Sequence, residues 1–127
     1  MLVNVPGEWD LVDTYHFQLG QEPWKRHTKT GRKPIPMRNY QAFIADLARE
    51  HVQTGECLGK LEGNLMVIFT FYTPKPRGDQ TNNAKSIEDA LNRIAWIDDK
   101  QNRQVLILEE SAETEMTKVE IYKEKQK

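Results

Sequence analysis

Between Thr14 and Leu19 the apolar residues Tyr15, Phe17 and Leu19 alternate with His16 and Gln18, the period of two that turns one side of a strand into a core. Before Thr14 no period is visible, so residues 1–13 are expected to form an irregular N-terminal segment. From Gly20 to Pro36 the pattern dissolves into Gly20, Pro23, Gly31, Pro34 and Pro36 among polar and basic residues, which suits neither a helix nor a central strand. Periodicity returns at Asn39 to Val52, where Tyr40, Phe43, Ile44, Leu47 and His51 share one helical face and Gly55 supplies the stop. Leu65 to Tyr72 is an unbroken, β-prone apolar run suited to a strand buried on both faces, closed by Pro74 and Pro76. Ala84, Ile87, Ala90, Leu91 and Ile94 then predict a second amphipathic helix over Asn82 to Ile94, packed on that strand. Val105 to Leu108 and Val119 to Tyr122 are short β-prone runs across an acidic turn, read as a terminal hairpin, with Lys123 to Lys127 as a loose tail. The order is β-α-β-α-β-β in one mixed sheet, an α/β (α+β) fold.

At 127 residues the chain fits a single domain, 1–127, and 38% hydrophobic with 29% charged residues places it among globular proteins rather than disordered ones. No apolar run approaches the roughly 20 residues of a membrane span, and the first residues lack the basic-then-apolar order of a signal peptide. A soluble, cytoplasmic protein without a membrane partner is the expectation. The single cysteine, Cys57, excludes a disulfide framework or thiolate zinc cluster within one chain and reads as an inert thiol in a turn. His16, His27 and His51 show no ligand spacing.

A net charge of −1 argues by itself against a nucleic-acid partner, but the distribution reverses that argument. Met1 to Trp24 carries Glu8, Asp10, Asp13 and Glu22 and no Lys or Arg, whereas Lys25 to Tyr40 carries Lys25, Arg26, Lys29, Arg32, Lys33 and Arg38 and no acid. A long basic segment without secondary structure is uncommon in a compact domain unless it binds something, and phosphate contacts are what such a segment suits. A solvated loop is the plainer reading. Trp24 is open to base stacking, while Trp96 is better suited to the core or to a dimer contact.

Chemistry concentrates between Arg77 and Asp99. Asp79 stands just before the second helix and the pair Asp98-Asp99 just after it. The helix spans roughly 20 Å, so these acids meet only if the chain turns back at Trp96. Converging carboxylates would suit Mg²⁺, which takes oxygen ligands, activates water and neutralises charge on a phosphate. Each residue also has a structural reading: Asp79 or Thr81 as a helix cap, Asp98-Asp99 as a turn, Lys85 as the partner of Asp89 one helical turn on.

The pattern Asp79-x-x-Asn82-x-x-Lys85-x-x-x-Asp89-Ala90-Leu91-Asn92, followed by Trp96-x-Asp98-Asp99, resembles the signature of the RusA-like Holliday-junction resolvases. The similarity runs from about Tyr15 onwards and takes in Phe17, the basic Lys25 to Pro36 loop and Tyr40. It implies an endodeoxyribonuclease, dependent on Mg²⁺ or on Mn²⁺ in its place, that resolves four-way DNA junctions in recombination and repair. It further implies a homodimer with one site per subunit, in a bacterial or phage-infected cell, of host, phage or prophage origin. The family's site maps onto Asp79, Thr81, Lys85 and Asp99: Asp79, Lys85 and Asp99 catalytic, Asp79 and Asp99 metal-binding with Asp98 beside them, and Arg77 joining the basic loop in DNA contact. Thr81 departs from the pattern, because a hydroxyl stands where the family has a second Asp, and Asn83 replaces a usual apolar residue. Thr81 would then orient water, Asp98 or Glu88 would supply the missing carboxylate, and metal binding should be weaker than at a three-carboxylate site.

Two other functions compete. One is a RusA-like junction- or DNA-binding protein whose catalysis Thr81 has weakened; the other is a regulatory protein that docks through its acidic C-terminal hairpin.

Overall fold

The computed structural model describes residues 8–18, 37–76 and 80–125. Its elements are β1 (Trp9–Phe17), α1 (Met37–Gln53), β2 (Leu65–Thr73), α2 (Thr81–Leu91), a 3-10 turn (Asp99–Gln101), β3 (Asn102–Ser111) and β4 (Met116–Glu124). The expected β-α-β-α-β-β order and mixed sheet are therefore present in one domain. Among the described residues no helix is long and apolar enough to cross a membrane.

The four strands lie in the order β1-β4-β2-β3, with β2 parallel to β3 and antiparallel to β4. This overturns the expected hairpin, since β2 separates β3 from β4. The reason is burial: β2 is apolar on both faces and needs a neighbour on each side, which β3 and β4 provide. Leu65, Val67, Phe69 and Phe71 face the helices in one cluster with Ile44, Ala48, Ala84, Ile87, Leu91, Val119 and Ile121. On the opposite face Met66 and Ile68 are buried as well, and the register sets Tyr122 beside Met66 and Leu106 beside Ile68.

Several element limits differ from the periodic reading. Strand β1 begins at Trp9, inside the segment expected to be irregular, because a bulge between Leu11 and Asp13 breaks the alternation there. Strand β4 runs to Glu124, so Lys123 and Glu124 pair with Asp10 and Trp9 rather than forming a loose tail. On α1, Tyr40, Ile44 and Ala48 form the buried line, while Phe43, expected on that face, is 57% exposed. Helix α2 stops at Leu91, three residues before its apolar spacing does, because Arg93 takes a left-handed φ of 70° and Ile94 packs on the core from the turn.

The segment after α1 is held from two directions. Buried Asp13 accepts hydrogen bonds from the backbone N–H groups of Leu58 (2.9 Å) and Gly59 (3.0 Å). Lys60 and Leu61 donate to the carbonyls of Ile94 and Ala95 at 2.8 and 2.9 Å. Gly59 is required there: it has φ +73°, and a Cβ would sit 2.9 Å from Val52 and 3.0 Å from the Ile94 carbonyl. The Cys57 thiol is buried and donates to the Thr14 carbonyl, and burial, followed by the charge of Asp13, pushes it up to about 11. The neighbouring Tyr15 hydroxyl is pushed up by the same burial.

Candidate active site

Helix α2 presents Lys85, Glu88 and Asp89 on one side, since positions three and four apart are neighbours on a helix. The Lys85 ammonium lies 3.5 Å from Asp89 Oδ1 and 3.7 Å from Glu88 Oε1. It also lies 3.9 Å from Asp99 Oδ2, which arrives from the far end of the turn after α2. The chain does turn back after the helix, which brings Asp99 to Lys85. The carboxylates of Asp89 and then Glu88 hold the Lys85 ammonium above its usual pKa, fully charged at neutral pH. Lys85 thus makes the expected contact with Asp89 and longer ones with Glu88 and Asp99, and it is 60% exposed.

Backbone chemistry fixes where Asp99 stands. Trp96 is fully buried and bridges to Leu61 and Asn92, which anchors the turn to the core as its apolar character suggested. Asp98 then caps the 3-10 turn: its carboxylate accepts from Lys100 N at 3.0 Å, and Gln101 Oε1 accepts from Asp98 N at 2.8 Å. The Lys100 N–H, with the Asp99 side chain as second cause, holds the Asp98 carboxyl below its usual range. Gln101 also donates to the carbonyls of Leu61 and Gly63 at 2.8 and 2.9 Å. Asn102 donates to Glu88 Oε2 at 2.8 Å, tying the start of β3 to the same cluster.

The start of α2 is pinned by a buried polar chain. Asn83 donates to Gln80, and Gln80 donates to Glu109 on β3. Gln80, not Asp79 or Thr81, is the N-cap residue, and Thr81 is the exposed first residue of the helix. Asn83, polar where the sequence pattern favours an apolar residue, is buried because it serves this chain. Gln80, Gln101, Asn102 and Glu109 were not legible as site residues. Their only sequence signal is polarity at positions that the fold makes inward-facing.

Asp79 and Arg77 lie outside the described residues, as do Lys25, Arg26, Lys29, Arg32 and Lys33; Arg38 falls in the first turn of α1. The donor chemistry present suits a hard divalent cation, since Asp99, Glu88 and Asp89 offer only carboxylate oxygens. Among the described residues no three His, Cys, Asp or Glu side chains form a metal-holding group. The arrangement offers a fixed, partly exposed carboxylate next to a charged ammonium. That pair can hold a cation and a phosphate oxygen side by side.

The sequence model of Endodeoxyribonuclease RusA matches residues 19–122 of the chain. No curated protein matches the chain.

Proposed function

The chain belongs to the RusA endodeoxyribonuclease family, which are Holliday-junction nucleases that depend on divalent metal, and on that premise we propose how this chain cuts branched DNA. The reading is a Mg²⁺-dependent, homodimeric resolvase that hydrolyses one phosphodiester per subunit in a four-way junction. Asp79 and Asp99 hold the metal, which when bound supplies an activated water and neutralises charge at the scissile phosphate. Lys85 donates to a non-bridging oxygen of that phosphate, its charge kept by the surrounding carboxylates. Asp98 positions Asp99 through the capped turn, and the Thr81 hydroxyl orients water at the first turn of α2. The loop residues Lys25, Arg26, Lys29, Arg32, Lys33 and Arg38, with Arg77, hold the DNA backbone. Two sites related by a twofold axis match the symmetry of paired cuts on opposed strands. The setting is the cytoplasm of a bacterial or phage-infected cell, in recombination and repair.

The observation that carries this reading is the approach of Asp99 to Lys85 at 3.9 Å, across the turn that follows α2. The test is cleavage of a mobile four-way junction with and without Mg²⁺, against a linear duplex and against Asp99→Asn. Paired cuts that require Mg²⁺, the branch point and Asp99 support it; binding without cuts overturns it.

Thr81 favours a second reading, a junction-binding relative with weakened catalysis, because it brings no negative charge to the helix start. Thr81→Asp separates the two. A weakened enzyme gains cleavage by about tenfold or more, in the range that metal-shell changes produce, and unchanged cleavage shows that Thr81 is not the limitation.

A further inference from the structure

A cleft of about 520 Å³ opens beside the turn that leads from α2 towards Asp99. Helix α1 contributes Arg49 and Val52 to it, the segment after α1 contributes Leu58 and Lys60, and the turn after α2 contributes Arg93 and Ile94. A smaller hollow of about 260 Å³ shares Lys60 and Arg93 and adds Ile97. The residues lining both carry the cations of Arg49, Lys60 and Arg93 and no carboxylate. Their apolar part includes Leu58, 70% exposed, and Ile97, 51% exposed.

The backbone gives a second, independent observation. Lys60 (φ 45°) and Arg93 (φ 70°) are the non-glycine residues with positive φ among those described, and both line this cleft. Left-handed backbone is costly for a side chain with a Cβ, and Gly or Asn would make either turn more easily. At Arg93, just past the C-cap of α2, Gly is the usual choice. Strain of this kind collects at functional positions. The two segments are joined by Lys60 N–H donating to the Ile94 carbonyl at 2.8 Å, so the main chain from which both side chains extend is held together. Arg49 is oriented by Asp46 at 3.0 Å, and Arg93 lies within the electrostatic reach of Asp98. Asn92, also in the lining, has a buried Oδ1 with no hydrogen-bond partner among the described residues.

We infer that this cleft is a second DNA-backbone site, in which Lys60 and Arg93, with Arg49 beside them, each take one of two neighbouring phosphates of a strand flanking the cut and the apolar wall takes the attached sugar or base. The inference rests on the reading of the chain as a branched-DNA nuclease. Arg93 and Asp99 lie on one turn, which even fully extended spans about 22 Å, or about six nucleotide steps of 3.4 Å. A strand that flanks a cut at Asp99 can pass within that distance, and the cleft is where its backbone can be held.

The experiment uses the Asp99→Asn protein, so that binding is read without cutting. Its affinity for a four-way junction is measured from about 50 to 200 mM salt. Lys60→Asn/Arg93→Asn in that background should lower the salt slope by about 1.8, at about 0.9 per phosphate contact. Its melting temperature should stay level or rise, because Asn relaxes both turns. Lys60→Arg/Arg93→Lys should keep the slope. If the Asn pair misfolds, single Lys60→Gln and Arg93→Gln variants read the same quantity, each losing about 0.9. An unchanged slope in a folded variant overturns the cleft assignment and leaves the nuclease reading standing. A parent protein that binds no branched DNA at the lowest salt overturns both.

Discussion

Asp13 and Asp99 are the same side chain put to opposite uses. Asp13 is 3% exposed and accepts from Leu58 N–H and Gly59 N–H, so its charge is spent on holding the segment after α1 against β1. Around it Cys57 and Tyr15 are buried and resist ionisation. Asp99 is 36% exposed, faces the Lys85 ammonium at 3.9 Å, and is placed by neighbours rather than consumed by them. A buried carboxylate with its acceptor capacity filled by backbone stabilises a fold. One held rigidly but left partly open is available for chemistry.

That contrast can be broken by exchange of effects. Asp99→Asn should lower junction cleavage by about 10³-fold, the several kcal/mol that a bound divalent cation supplies, with no shift of the melting curve. Asp13→Ala should do the reverse: destabilisation by about 2–3 kcal/mol, since two part-buried backbone donors lose their acceptor, with the cleavage rate per folded molecule retained. Denaturant titration and single-turnover cleavage on each variant decide both. The closed region should also show in pH. The Cys57 thiol stays protonated in the folded chain up to about 11, whereas the unfolded thiol ionises near 9. The unfolded state therefore binds fewer protons in that window, so stability falls as pH rises from 9 to 11, at up to about 1.4 kcal/mol per unit. Cys57→Ala should flatten the lower half of that decline in urea titrations, before Tyr15 contributes. The smallest effect is expected at Asp98→Ala, which leaves Asp99 in place but uncaps its turn: cleavage should drop about tenfold with little change in the melting temperature.

Local pattern carried the helices and β2 well, because Ala84, Ile87 and Leu91 or Leu65 to Tyr72 bury the faces that their spacing assigns. It could not place β4, since which strand lies beside β2 depends on the whole sheet rather than on the sequence near Val119. Nor could it see β1 before Thr14, where the bulge and inward-facing Asp13 disguise a strand as an irregular polar stretch. At the site, the spacing of Lys85 and Asp99 was legible, and the turn that unites them rests on Trp96, whose burial its apolar bulk suggested. The polar supports were not legible: Gln80, Asn83 and Glu109 form a buried chain only because α2 begins beside β3.

The place of β4 between β1 and β2 has a consequence for how the molecule comes into being. Strand β1 is paired with β4 and with no other described strand, so Tyr15 and Phe17 have no ladder to join until residues 116–124 have been synthesised. Contacts so distant along the chain form slowly, because the intervening loop must close before any pairing stabilises it. On the ribosome the first strand must wait for its ladder partner while both helices and two later strands emerge. Completion of the sheet is thus a late event in the life of each chain.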